Sequence, residues 1–364
     1  MAVAGGSLDP DTSVFLDLLR LVSALFVVLS HFTWPRISGG ALVYFPGHAA
    51  VMVFFVLSGY VIAYAASQRE RGARDYALNR LARLWSVVIP ALLLTWLCDT
   101  VGRRLDPSLY PSAATWPTAW QLLSALVFVG QLWKLDITPM SNEPFWSLPY
   151  EFWYYVLLGC LLHLRGRARW CAVAGTAIVC GPKILLYLPI WWLGVWMYRR
   201  GPLLLSPAMA RAVFAGCLVL LPLFFLLGYR TRWSSPWLPV GFSPFDYPLA
   251  LCVAGLIGSF PGCAVRLGRL RSVVVAAASC TFTLYLCHLP IMLLLAAALP
   301  HDWPAPIRLV LLLCLTLMAC WALAQITERK KSRVRAWLDR LLSGVQRALM
   351  VFVPTPAGGG RSQS

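Results

Sequence analysis

The sequence predicts an all-α fold: a polytopic transmembrane bundle of about ten spanning helices, with one further apolar segment re-entrant or interfacial. Three observations carry this. Of the 364 residues 59% are hydrophobic and 12% charged, and the mean hydropathy is +0.70. A soluble fold has too little polar surface to cover such a chain, which excludes a soluble enzyme, a disordered chain and a nucleic-acid-binding module of the usual kind. Apolar runs long enough to cross a bilayer recur from end to end. The net charge of +17 is concentrated between those runs, as expected where basic loops are held on the cytoplasmic side.

The runs lie near residues 14–34, 47–66, 84–101, 119–134, 148–164, 169–182, 184–198, 211–229, 246–261, 273–298 and 306–327. The first is too long for the ~7–15-residue core of a signal peptide and no small-residue cleavage site follows it, so it is expected to be a retained span. Segments 119–134 and 184–198 are short against the ~20 residues a crossing needs. Arginine clusters at 69–83, 165–169, 199–211 and 266–271, with the basic tail after 328, vote for one side. With all of them cytoplasmic, an odd number of crossings must separate Arg83 from Pro149. Two apolar runs lie there, so one of them, 84–101 or 119–134, is expected not to span. Both termini then face the cytoplasm.

The chain divides into a transmembrane domain, 1–327, and a cytoplasmic tail, 328–364. In the tail Val334, Trp337, Leu338, Leu341, Leu342, Val345 and Leu349 recur at helical spacing among arginines, the pattern of an amphipathic helix on an anionic leaflet. No groove-reading fold accompanies this charge, so no nucleic-acid partner is expected. The 11 cysteines show no C-x-x-C pair and no Cys/His cluster at metal spacing, so free thiols and no metal are expected.

Ionisable groups inside apolar spans are costly and mark function by default. Asp17 and Arg20 sit one turn apart in the first run. His31 follows Arg20 by eleven residues, nearly three turns, so the two share a face about 16 Å apart along the axis. Such a stripe suits a long anionic ligand, its phosphates at the arginine and its reactive end at the imidazole. The same residues fit a snorkelling arginine and a helix-capping histidine. Arg80 and Arg83 share a helix face, as a phosphate site or a positive-inside anchor. In Trp146-Ser147-Leu148-Pro149-Tyr150-Glu151, Ser147 reads as an N-cap and Glu151 as a first-turn anion. That end faces outward, level with His31, where a carboxylate can orient an imidazole. His288 lies one turn beyond Tyr285 in an apolar run, beside Pro290, and fits either a functional group or a histidine bonded to carbonyls freed by a kink. His48 and His163 lie at segment edges and are weaker candidates.

Together these positions resemble one family. Leu16-Asp17-Leu18-Leu19-Arg20 followed by Val27-Val28-Leu29-Ser30-His31 resembles the opening of the acyltransferase-3 family of integral membrane O-acyltransferases, whose first helix carries a basic residue, ten residues and a histidine. Phe54-Phe55-Val56-Leu57-Ser58-Gly59-Tyr60 matches its second helix, Arg80 to Pro90 its third with the proline displaced, Trp146-Ser147-Leu148 with Glu151 its W-S-L-x-x-E, and Tyr285 to Pro290 its late Y-L-x-H-x-P. Ala50-Val51-Met52-Val53 departs from the usual Gly-Val, Leu19-Arg20-Leu21 from G-L-R-G, and Phe282 from a tyrosine. Many relatives carry an added hydrolase-like domain. None is seen in this sequence, so a stand-alone acyltransferase domain is expected.

The resemblance implies transfer of an acyl group, usually acetyl, from cytoplasmic acyl-CoA to a hydroxyl of a carbohydrate such as lipopolysaccharide, exopolysaccharide or a lipid-linked sugar. It implies residence in the bacterial cytoplasmic (inner) membrane. Under it, His31 and Glu151 are the catalytic candidates, and Arg20, Arg80 and Arg83 hold the acyl-CoA. Asp17, Ser58, Trp146, Ser147, Tyr285 and His288 bind substrate or shape the site. The alternative of another class is a transporter or flippase for a polar or lipid-linked solute, using the same intramembrane charges as a pathway. Its usual mark, a pair of repeats, is not visible in the sequence.

Overall fold

A computed structural model describes residues 8–43, 45, 47–110, 116–300 and 302–352, with side chains to 344. Their regular structure is helical, with no strand among the described residues. α1 (Pro10–Phe32) starts where the sequence allows, on Pro10 with Asp9 accepting the Thr12 N–H at 2.9 Å. After the single turn α2 (Pro35–Ser38) come α3 (His48–Gln68), α4 (Ala73–Leu105), the short α5 (Thr118–Leu126) and α6 (Ser147–His163). The chain continues through α7 (Gly166–Arg200), α8 (Pro207–Arg230), α9 (Asp246–Ser259), α10 (Arg271–Ala278), α11 (Thr281–Ala298), α12 (Ala305–Ile326) and α13 (Lys331–Phe352).

Seven helical stretches are long and apolar enough to cross a membrane, or eight if the pair bent by 115° around α9 and α10 is one span. The expected count of ten is not reached, because segments 169–182 and 184–198 count as one stretch and segments 148–164 and 246–261 give helices of only 17 and 14 residues. Segments 169–182 and 184–198 join into the 35-residue α7, kinked at Gly181, whose φ of 73° a residue with a side chain rarely adopts. Segment 273–298 is cut into α10 and α11 between Ala278 and Thr281. Segment 119–134 yields only the nine-residue α5, whereas 84–101 lies in the 33-residue α4. Of that pair, 119–134 is the one too short to span. α6, at 17 residues, covers about 25 Å, just under the ~30 Å hydrocarbon core.

The chain after α5 is irregular but pinned inside the bundle. Asp99 of α4 accepts the Ser141 N–H at 3.0 Å and hydroxyl at 2.5 Å, and Asn142 Nδ2 donates to Thr95 at 3.0 Å and to the Leu286 carbonyl at 2.8 Å. Non-helical backbone in a membrane protein is tolerated when buried in protein this way.

α11 sits at the centre, buried along most of its length, while only Ala210 and Gly228 of α8 are buried. α3 and α7 pack backbone to backbone. A Cβ on Gly59 would strike the Trp191 carbonyl and one on Gly194 the Val56 carbonyl, so small residues set this contact. The tail helix is joined to the bundle: Leu338 packs on Leu78 and Ala82 of α4, flanked by Arg74–Asp339 (2.8 Å) and Arg335–Asp75 (2.9 Å).

Candidate active site

Two of the cavities among the described residues adjoin, both lined by Val51 of α3 and Tyr285 of α11. One, of about 500 Å³, is lined by His31, Trp34, Trp146 and Glu143. The other, of about 140 Å³, is lined by Arg20, Arg83, Ser58, Glu151, Glu328 and Lys331. We call them the histidine cavity and the basic cavity.

α1 feeds both, Arg20 the basic cavity and His31, almost three turns on, the histidine cavity, as the stripe on its face requires. The two imidazoles meet. His288 Nδ1 lies 2.8 Å from the Leu284 carbonyl, and its Nε2 lies 3.0 Å from His31 Nδ1. His31 Nδ1 also lies 2.9 Å from the Val27 carbonyl. Carbonyls only accept, so in the neutral ring His288 carries its proton on Nδ1 and presents a bare Nε2. His31 Nδ1 then faces two acceptors and carries the proton, which leaves His31 Nε2 with a lone pair for the cavity. This tautomer follows from the partners rather than from observed hydrogens. Trp34 stands edge-on to the ring at 4.6 Å between centroids.

Glu151 is not the partner of His31 that sequence position suggested. α6 begins at Ser147 after a 3₁₀ turn over Glu143–Trp146, which sets Glu151 one turn inside the helix and facing the basic cavity. It accepts hydrogen bonds from Ser58 at 2.6 Å and from Tyr155, and lies 3.8 Å from Arg83. Ser147 does not cap its helix either. Its hydroxyl pairs with that of Tyr285 at 2.7 Å, and the Tyr285 hydroxyl reaches the Pro144 carbonyl at 2.9 Å. Ser58 is fixed by the Trp191 indole N–H at 3.2 Å, a consequence of the tight α3–α7 approach.

The arginines separate. Arg83 lines the basic cavity; Arg20 joins it and holds Asp17 at 3.4 Å. Arg80, three residues before Arg83, turns instead to buried Glu70 at 2.6 Å and lies over the Tyr76 ring at 4.9 Å, so it lines neither cavity. Trp146 is in the histidine cavity, stacked on His48 with centroids 5.5 Å apart.

Two residues of the basic cavity were not expected. Glu328 accepts the backbone N–H groups of Phe282 and Thr283, each at 3.2 Å, capping α11 from across the fold, and Lys331 begins the tail helix. A lone acid at the head of a basic tail was the available sequence signal for the first; nothing distinguished Lys331 from the surrounding cations. In the wall of the histidine cavity, Glu143 pairs with Arg36 at 3.0 Å.

Helices of spanning length around two adjoining cavities, one lined by Arg20, Arg83 and Lys331 and one by His31 and His48, define an integral membrane protein. The chain belongs to the acyltransferase-3 family: the family's acyltransferase domain matches residues 13–325, nearly the whole chain. It is similar to an O-acetyl transferase of Shigella phage Sf6, 29% identical over 42% of this chain and 47% of the relative. It is also similar to the acyltransferase MdmB of Streptomyces mycarofaciens, 27% identical over 47% of this chain and 46% of the relative. The chain thus spans about half the length of the curated relatives it matches. No solved structure matches it. The protein is an integral membrane member of that family.

Proposed function

We propose that the enzyme moves an acyl group, acetyl first among them, from acyl-CoA on the cytoplasmic side to a hydroxyl of an extracytoplasmic or lipid-linked carbohydrate. The observation that carries this is the shared wall: Val51 and Tyr285 line both a cation-bearing cavity and the cavity of the unprotonated His31 nitrogen. A donor with a phosphate-rich head and a long thin arm fits that division. Arg20, Arg83 and Lys331 receive the phosphates, and Glu151 holds Arg83 in place. Arg80, locked on Glu70, supports the helix that carries Arg83.

The chemistry then uses His31 as general base. Its Nε2 takes the proton of the acceptor hydroxyl as that oxygen attacks the thioester carbonyl. The C–S bond breaks, and the proton leaves His31 for the departing thiolate, so that ester and free thiol are the products. His288 keeps the His31 tautomer correct throughout. The wide histidine cavity, with Trp34 and Trp146 in its wall, suits a sugar, whose C–H faces rest on aromatic rings.

We infer by the positive-inside rule, chiefly from the basic tail that carries Lys331, that the basic cavity faces the cytoplasm, with both termini on that side of a bacterial inner membrane. The test compares, by mass, the surface glycans of cells with and without the protein, and of cells carrying His31→Ala. An acyl mass increment is expected only with the intact protein. An increment that persists with His31→Ala, or none with the wild type, overturns the reading.

A further inference from the structure

The histidine cavity holds a second imidazole that the reaction above does not use. His48 opens α3, and Gly47 before it packs so close to Ser30 that a Cβ there would strike the Ser30 hydroxyl. Since Ser30 precedes His31, the two histidines enter one cavity from adjoining backbones. His48 Nε2 lies 3.1 Å from the Tyr187 hydroxyl and 3.4 Å from Asp246 Oδ2. Tyr187 gives its own proton to the same Oδ2 at 2.5 Å, and the Ser243 N–H donates to it at 3.0 Å. Asp246 is buried, and its Oδ2 accepts both of these bonds. Every group at His48 Nε2 can accept, so Nε2 bears the proton and Nδ1 is the bare nitrogen.

The Nδ1 edge meets Gly241, which also lines the cavity; a Cβ there would come within 3.1 Å of Nδ1. Gly241 has φ +66°, so the chain favours glycine at this point and leaves a notch in front of the nitrogen. Trp146 stacks on the ring and fixes its plane. A bare ring nitrogen held rigidly from behind recognises a hydrogen-bond donor, not an anion.

We propose that His48 is an acceptor-binding residue: its Nδ1, oriented by Asp246 and Tyr187, receives a second hydroxyl of the acceptor while His31 serves the reacting one. The acceptor is therefore polyhydroxylated, with two hydroxyls presented to one cavity, rather than a simple alcohol. This rests on the acyl-transfer reading given above.

The test uses the full-length protein in detergent, radiolabelled acetyl-CoA, and the lipid-linked and surface glycans extracted from the native envelope. In His48→Gln the amide nitrogen replaces Nε2 and keeps the bond to Asp246, but nothing replaces Nδ1. Its KM for glycan should rise about tenfold, the scale of one buried hydrogen bond. Its KM for acetyl-CoA should not change. In His48→Asn the carbonyl oxygen stands near Nδ1, so glycan KM should recover most of its wild-type value. An unchanged KM in His48→Gln, or a worse KM in His48→Asn than in His48→Gln, overturns the proposal. If the glutamine variant does not fold, the asparagine variant decides: near-normal KM supports the assignment and a tenfold rise overturns it. No labelling of glycan by wild type removes the acyl-transfer reading itself, and this proposal with it.

Discussion

His288 Nε2 and His31 Nδ1 are joined at 3.0 Å, and with the Val27 carbonyl, 2.9 Å from the same Nδ1, this contact leaves Nε2 as the His31 nitrogen free for the cavity. His288 is fully buried and tied by its other nitrogen to Leu284, so it acts only through His31. Replacing it by alanine removes one of the two acceptors on His31 Nδ1 and leaves the ring held by the Val27 carbonyl alone. The expected loss in kcat is about tenfold, one hydrogen bond's worth, with the KM for acetyl-CoA unchanged. Removing His31 itself should cost about 10²–10⁴-fold, the range for a general base. Steady-state rates of acetyl transfer, with donor and acceptor varied separately, check both.

Arg80 and Arg83 are three residues apart, yet their alanine variants should fail differently. Arg83→Ala removes a cation from the basic cavity and should weaken acetyl-CoA binding about tenfold or more, a charge-assisted bond's worth. Arg80→Ala leaves the buried Glu70 carboxylate with only Asn79, at 3.1 Å, as partner. A stability loss of ~3 kcal/mol is expected, the cost of breaking a buried pair. Donor affinity of the folded fraction should be near normal. Isothermal titration with acetyl-CoA, paired with thermal unfolding in detergent, separates the two.

Much of this was legible in the sequence because period and chemistry travel together. The Arg20–His31 stripe follows from 3.6 residues per turn, and the seven long spans follow from apolar length. What hid was set by contacts between distant elements. Arg80 and Arg83 share a helix face in projection, but Glu70 captures only the first. Glu151 looked level with His31 because the charge-based topology put its helix start on the outer side; its contacts with Ser58 of α3 and Arg83 of α4, which no local pattern announces, place it in the other cavity. Asp246, nearly 200 residues from His48, has no local pattern that ties it to that ring. The apolar run 119–134 has a composition close to that of a span, and only the pinning of the Ser141–Asn142 region to Asp99 and Thr95 explains why so little of it is helix.

The approach of α3 to α7 supplies a stability prediction. At Gly59 and Gly194 an added Cβ meets backbone carbonyls, not movable side chains. Gly194→Ala should force the helices apart and destabilise the bundle by about 1–3 kcal/mol, the range for overpacking. Because Ser58 and Trp191 lie at this contact, the Ser58–Glu151 bond should loosen with it. Thermal unfolding reads the first effect and a raised KM for acetyl-CoA the second. Gly175, with open space around it, is the control: Gly175→Ala should change neither.

The tail offers the sharpest separation of structure from binding. Glu328 satisfies two N–H groups at the start of α11, the helix that carries Tyr285 and His288, while Lys331 only lines the cavity. Glu328→Gln keeps an acceptor oxygen but loses the charge that favours a helix N-terminus, so a stability loss of about 0.5–1 kcal/mol is expected. Glu328→Ala removes the acceptor and should cost about 1–2 kcal/mol, together with kcat, as the start of α11 loosens. Lys331→Ala should leave both untouched and raise the KM for acetyl-CoA several-fold, an effect that fades as salt screens the charge. Equal behaviour of the Glu328 and Lys331 variants across unfolding and kinetics would mean that the tail acts as one unit instead.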